Sequence, residues 1–348
     1  MTDLHVHLRD GVQSAKETIE HGLAVASMCG IRRVADMPNC SPALTSRAAV
    51  LDRLALASPS AKRHRVSYSV HMGLTADPDQ IREAVATHSE LFPLVLGLKL
   101  FAGQSTGNMG IVDIDSQRLV FQTLTEAHYR GVLLVHCEKE SLLRPELFVA
   151  GRWETHSLAR PTAAEVESVR DMIGLMEETG FAGHLHICHI STKGALELVC
   201  AARDRGLAVS CGATAHHSLL TVDDAAEHGR YLKMNPPLRS MEDRDAIYAG
   251  LVGGSVDYVE SDHAPHTLED KEKGASGIPG FAGSLMLLSR LKADGVPTER
   301  LVDIFSRNAL TLFGLDGEER PLPDRIMWRA RKAASEYPFD PFAIPQLG

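Results

Sequence analysis

The stretch Thr2-Asp3-Leu4-His5-Val6-His7-Leu8-Arg9-Asp10 alternates apolar and polar residues. On an extended strand, successive side chains point to opposite faces. Leu4, Val6 and Leu8 are therefore expected on one face, and Asp3, His5, His7 and Arg9 on the other. The apolar face should pack against another layer. The polar face aims two imidazoles and a guanidinium the same way, as a metal-ligand pair followed by an anion clamp would. His-x-His alone fits a solvent-facing strand equally well, so the rest of the chain decides.

Apolar runs of strand length recur at 3–8, 31–37, 66–72, 94–101, 132–136, 184–189, 207–211 and 256–261. Helical patterns fall between or after them at 15–29, 46–57, 78–88, 116–129, 163–179, 193–205, 283–293 and 298–313. Strands alternating with helices predict a parallel sheet, and eight repeats predict a (β/α)8 TIM barrel with its site at the C-terminal strand ends. An open doubly wound sheet would gather its polar residues at one switch point. Here they stand at the ends of nearly every strand. The pattern changes after Gly314, so residues 1–314 read as the barrel and 315–348 as a tail, helical or extended, packed on it.

The chain has 348 residues, 44% of them hydrophobic, enough for a large core. Its net charge of −9 and lack of a basic run argue against a nucleic-acid partner. No run of 18 apolar residues suggests a membrane span, and no leader pattern precedes the first strand. The six cysteines, Cys29, Cys40, Cys137, Cys188, Cys200 and Cys211, form no Cys-x-x-Cys pair. They read as reduced thiols, so a cytoplasmic location is expected.

The strand ends carry the chemistry. Lys99 interrupts the apolar run Leu96-Gly97-Leu98-Lys99-Leu100-Phe101. It is either a lysine snorkelling from a strand end or a desolvated, neutral amine. A neutral amine can add CO2, and the carbamate is a two-oxygen anion able to bridge two cations. His136 ends the fifth run, His184, His186 and His189 lie in the sixth, and Glu260-Ser261-Asp262-His263-Ala264-Pro265-His266 ends the eighth. Any one of these could be a hydrogen-bonded core residue. Together they are the imidazole and carboxylate donors that zinc and similar ions take.

In this order the motifs resemble the amidohydrolase superfamily, and within it the dihydroorotases. The matching stretches are Asp3 to Arg9, Met37-Pro38-Asn39, Lys99-Leu100-Phe101, His136-Cys137-Glu138, His186-Ile187-Cys188-His189-Ile190 and Ser261-Asp262-His263-Ala264-Pro265-His266-Thr267. The resemblance implies two divalent cations, zinc or similar. His5, His7 and Asp262 would hold one, His136 and His189 the other, and carboxylated Lys99 would bridge them. It implies hydrolysis of dihydroorotate to N-carbamoyl-L-aspartate and the reverse ring closure, a step of pyrimidine synthesis, with Asp262 as general base and then acid. A homodimer, and association with other pyrimidine-pathway enzymes, are expected on the same ground.

Hydantoinases and allantoinases are expected to share the metal set. The substrate's carboxylate must distinguish them. Arg9 offers it a two-pronged, charge-assisted clamp, and Asn39 and His266 add donors at two other strand ends. Arg9 could instead serve a salt bridge with Asp10 or Glu17. In relatives the region of Asn235 lines the pocket, which makes Asn235 a ring contact. The loop 102–110 is read as a mobile lid or a plain connection. Gly212 stands where some relatives carry an acidic residue, so no further metal is expected there, and His216 and His217 are expected to pack. The tail does not read as paired strands, so no β-sandwich is expected. A non-catalytic scaffold is the remaining alternative; it should have lost ligands, and all six positions are present.

Overall fold

The computed structural model describes residues 1–105, 109–315 and 321–343. Eight strands follow one another in chain order, all paired parallel. They are β1 (Thr2–Val6), β2 (Arg33–Asp36), β3 (Ser67–Gly73), β4 (Val95–Phe101), β5 (Val132–His136), β6 (His184–Ile187), β7 (Val209–Ala213) and β8 (Tyr258–Val259). The sheet comes round on itself where His7 N–H donates to the His263 carbonyl (2.8 Å) and Ser261 N–H to Asp3 Oδ1 (3.1 Å). This is the expected (β/α)8 barrel.

Helices start where a short polar side chain can take an orphan N–H. Thr18, Ser46, Asp113, Thr192 and Ser240 each accept from the backbone three residues on. Thr18 thus moves the first helix to Ile19–Met28, later than the expected start at 15. The second, Arg47–His64, runs through Pro59, where the expectation stopped. The carbonyl that Pro59 leaves without a helical partner belongs to Ala55, on the exposed side of the helix. Met241–Gly253, between β7 and β8, was not anticipated, because its apolar residues crowd into the C-terminal half without helical spacing. The single helix expected at 298–313 is two, Thr298–Val302 and Asn308–Leu312, joined by a wider π turn over Asp303–Arg307.

Most apolar side chains, Val6 and Leu8 among them, form one cluster. Leu4 instead joins a smaller cluster with Ala35, Leu96, Leu134, Tyr258 and Phe313. The expectation that Leu4, Val6 and Leu8 share a face is therefore corrected. The β1–β2 register shifts between Asp3 and Val6, which breaks strict alternation. Near the C-terminus the helix Ile326–Ala334 packs on Phe281–Ala293. Phe342 fits a notch at Gly283, where an added Cβ would lie 2.1 Å from its ring.

Candidate active site

At the strand ends, His5 from β1, His7 just beyond it, His136 from β5, His189 beyond β6 and Asp262 beyond β8 line one pocket. Arg9, Asn39, Phe101, Ser105, Asn235 and Gly277 complete much of its wall. The chain turns sharply to deliver two of these groups. His189 (φ 37°) and Asp262 (φ 48°) lie in the left-handed region, which non-glycine residues rarely adopt. Donor atoms of His5, His7 and Asp262 lie within 4.8 Å of one another. Asp262 Oδ1 is 2.9 Å from His7 Nε2 and 3.5 Å from His5 Nε2. Alongside, His136 Nδ1 faces His189 Nε2 at 3.2 Å.

Each of three imidazoles is held from behind. Glu260 Oε2 lies 2.8 Å from His5 Nδ1, Asn39 Oδ1 2.7 Å from His7 Nδ1, and Glu138 Oε2 2.9 Å from His136 Nε2. Such partners set the tautomer and leave the other nitrogen's lone pair facing inward, the arrangement seen around metal-ligating histidines. Burial lowers His5 to about 4 despite Glu260, and also lowers His136. Burial, then the neighbouring imidazoles, hold His189 well below the ordinary range. These rings are therefore neutral at pH 7, the form that binds cations. Burial opposes charge on Asp262, but the hydrogen bond from His7 and the closeness of His5 outweigh it and hold the carboxyl below its ordinary range, so the carboxylate is ionised. A set of neutral imidazoles, an ionised carboxylate and their outer partners fits divalent cations.

Lys99 is fully buried on β4. Its Nζ donates to Cys188 Sγ at 3.0 Å, and among the described residues no carboxylate lies within 4 Å. Burial pushes the Cys188 thiol up to about 12, so it remains a neutral acceptor. Arg9 is 2% exposed, and its Nε has no hydrogen-bond partner among the described residues. Asn235 presents its amide to the pocket while His156 Nε2 sits 2.9 Å from its Oδ1.

His266 is placed differently from Arg9 and Asn39. It is buried behind the wall, where Nε2–H donates to the Ser276 carbonyl at 3.0 Å. Burial and the Arg9 charge lower it to about 3. His217 is held by Thr214 Oγ1 and the Pro236 carbonyl, whereas neither nitrogen of buried His216 has a partner among the described residues. Of the loop 102–110, Ser105 lines the pocket, while Thr106, Gly107 and Asn108 lie outside the described residues. Sequence reasoning quoted Glu138 and Glu260 within its motifs but gave them no role, and it missed His156 and Arg160, which clamps Glu138. For the two carboxylates a signal existed: each stands two residues from a ligand position, on the same side of an extended chain.

Fold and pocket together define an amidohydrolase-type barrel, with ligating side chains converging from several strand ends. Residues 1–195 match the family described as dihydro-orotase-like. The chain is 32% identical to the dihydroorotase of Lactobacillus johnsonii over 91% of its length and 73% of that protein. It is 34% identical to that of Lactobacillus helveticus over 90% and 73%. Among solved structures, the L-hydantoinase (dihydropyrimidinase) of Arthrobacter aurescens superposes with a TM-score of 0.82 at 27% identity, covering 92% of this chain and 72% of that one. The Saccharomyces cerevisiae dihydroorotase in complex with 5-fluoroorotic acid shares the fold, with a TM-score of 0.73 at 21% identity over 91% and 85%. The chain belongs to the dihydroorotase-like family.

Proposed function

We propose that this chain is a dihydroorotase, opening the ring of dihydroorotate to N-carbamoyl-L-aspartate and closing it in reverse. The observation that carries the reading is Arg9: a buried guanidinium whose Nε has no partner among the described residues, in the pocket that holds the candidate ligand set. Arginine keeps its charge even when buried, and a substrate carboxylate is its natural partner. Asn235 supplies a polar contact for the ring. Asn39 acts through His7, whose tautomer it fixes, as well as at the pocket wall. His266 buttresses the Ser276 segment rather than reaching the substrate.

In this reading His5, His7 and Asp262 hold one divalent cation, zinc or similar, and His136 and His189 a second. Lys99, if its Nζ adds CO2 and gives up a proton, would supply an anionic carbamate as a further ligand to that pair. Two cations held there would acidify a water and polarise the scissile carbonyl. Asp262 takes the attacking water's proton and returns it to the leaving ring nitrogen. The reading also places the enzyme in pyrimidine synthesis in the cytoplasm, as a homodimer, with residues 1–314 as catalytic barrel and 315–348 as its tail.

A second reading, a hydantoinase acting on a ring without a carboxylate, draws on the likeness to the L-hydantoinase. Arg9→Ala separates the two. A lost charged hydrogen bond is worth about 1.5–3 kcal/mol, so KM for dihydroorotate should rise ~10- to 100-fold. Turnover of a 5-substituted hydantoin should change little. Equal effects on both substrates would favour the second reading.

A further inference from the structure

Gly212 on β7 is a glycine for reasons of space. Its φ lies outside the left-handed region, so the backbone there does not require one. A Cβ at this position would lie 2.3 Å from Oε1 and 2.5 Å from Cδ of Glu260. Glu260 follows β8, the strand paired with β7, and its carboxylate fills the space that Gly212 leaves. It is fully buried.

That carboxylate has two tasks. Oε2 lies 2.8 Å from His5 Nδ1, so the ring presents Nε2 toward Asp262. Oε1 accepts the backbone N–H of His189, whose left-handed backbone aims its ring at His136. His5 and His189 belong to different members of the proposed cation pair. Two donors face two acceptor oxygens, and only an ionised carboxylate satisfies both; an amide offers one acceptor and one misplaced donor.

We infer that Glu260 is a positioning residue shared by both cation sites, and that Gly212 is the gap through which β8 supplies it. The inference rests on the metal reading above. Cobalt titration of the whole chain, by calorimetry and visible absorption, tests it alongside far-UV circular dichroism and the melting temperature of the metal-free protein. Glu260→Gln keeps the volume and should weaken cobalt binding ~10- to 100-fold, the usual cost of losing a ligand's outer partner. Moving the carboxylate across, Gly212→Asp with Glu260→Ala, should bind cobalt at least tenfold tighter than Glu260→Ala alone. Unchanged cobalt affinity in Glu260→Gln, whatever happens to metal-free stability, would leave Glu260 a packing residue and overturn the inference. If Glu260→Gln does not fold, the relocated carboxylate decides, and failure to regain affinity overturns it. A wild-type chain that binds no cobalt overturns the metal reading, and this inference with it.

Discussion

Lys99 shows how far one residue can be read. In the sequence it is a lysine in an apolar run, equally consistent with snorkelling; in the structure its Nζ donates to a neutral thiol, Cys188, at 3.0 Å and lies 5.1 Å from the centre of the Phe101 ring, with no carboxylate partner among the described residues. A buried amine with so poor a partner is costly unless something else engages it. Lys99→Ala should therefore abolish most hydrolysis and lower metal content below that of the wild type, by more than the ~10- to 100-fold in affinity that outer partners cost. Elemental analysis beside a dihydroorotate assay checks this; normal turnover would remove Lys99 from the site. Glu138 and Glu260 carry a related lesson. Both were visible as neighbours of ligand residues, but a carboxylate's partner on another strand is a tertiary fact.

Elements in this barrel are tied together by polar groups as well as by the core. Glu17, just before the helix Ile19–Met28, accepts from Tyr337 Oη (2.8 Å) in the C-terminal segment and lies 3.1 Å from His263 Nε2 beyond β8. Burial opposes its charge, but His263, His21 and Tyr337 outweigh that and lower it from 4.5 to about 2. A carboxylate with a depressed folded-state pKa contributes stability that is present above its unfolded value and lost as pH falls through the folded one. The contribution is of order 1–3 kcal/mol, or a few degrees in Tm for a chain of this size. Glu17→Gln should melt below the wild type at pH 7, and the gap should close between pH 4.5 and 2. A gap constant across that window would mean that Glu17 does not titrate there.

On the scale of the whole molecule, the proposed cations would join side chains from β1, β4 and β5 and from the segments after β6 and β8. A ligand that binds only the folded state stabilises it by about 2.7 kcal/mol at a hundredfold excess over Kd. Exhaustive chelation should thus lower Tm by several degrees, and zinc should restore it; a Tm indifferent to both would count against a cation held between the strands. The barrel itself was legible because strand–helix alternation is a local property, set by side-chain periodicity. The ligand positions were legible as residue types at strand ends, and their convergence followed once the barrel closed. The sequence by itself thus determined the architecture and the residue types that gather at the strand ends, Arg9 among them. Tertiary structure alone decided that Leu4 turns to the inner cluster, that His266 faces Ser276 instead of the pocket, and that Glu260 occupies the space of Gly212. Each depends on register and on contacts between strands distant in the chain, which no local pattern encodes.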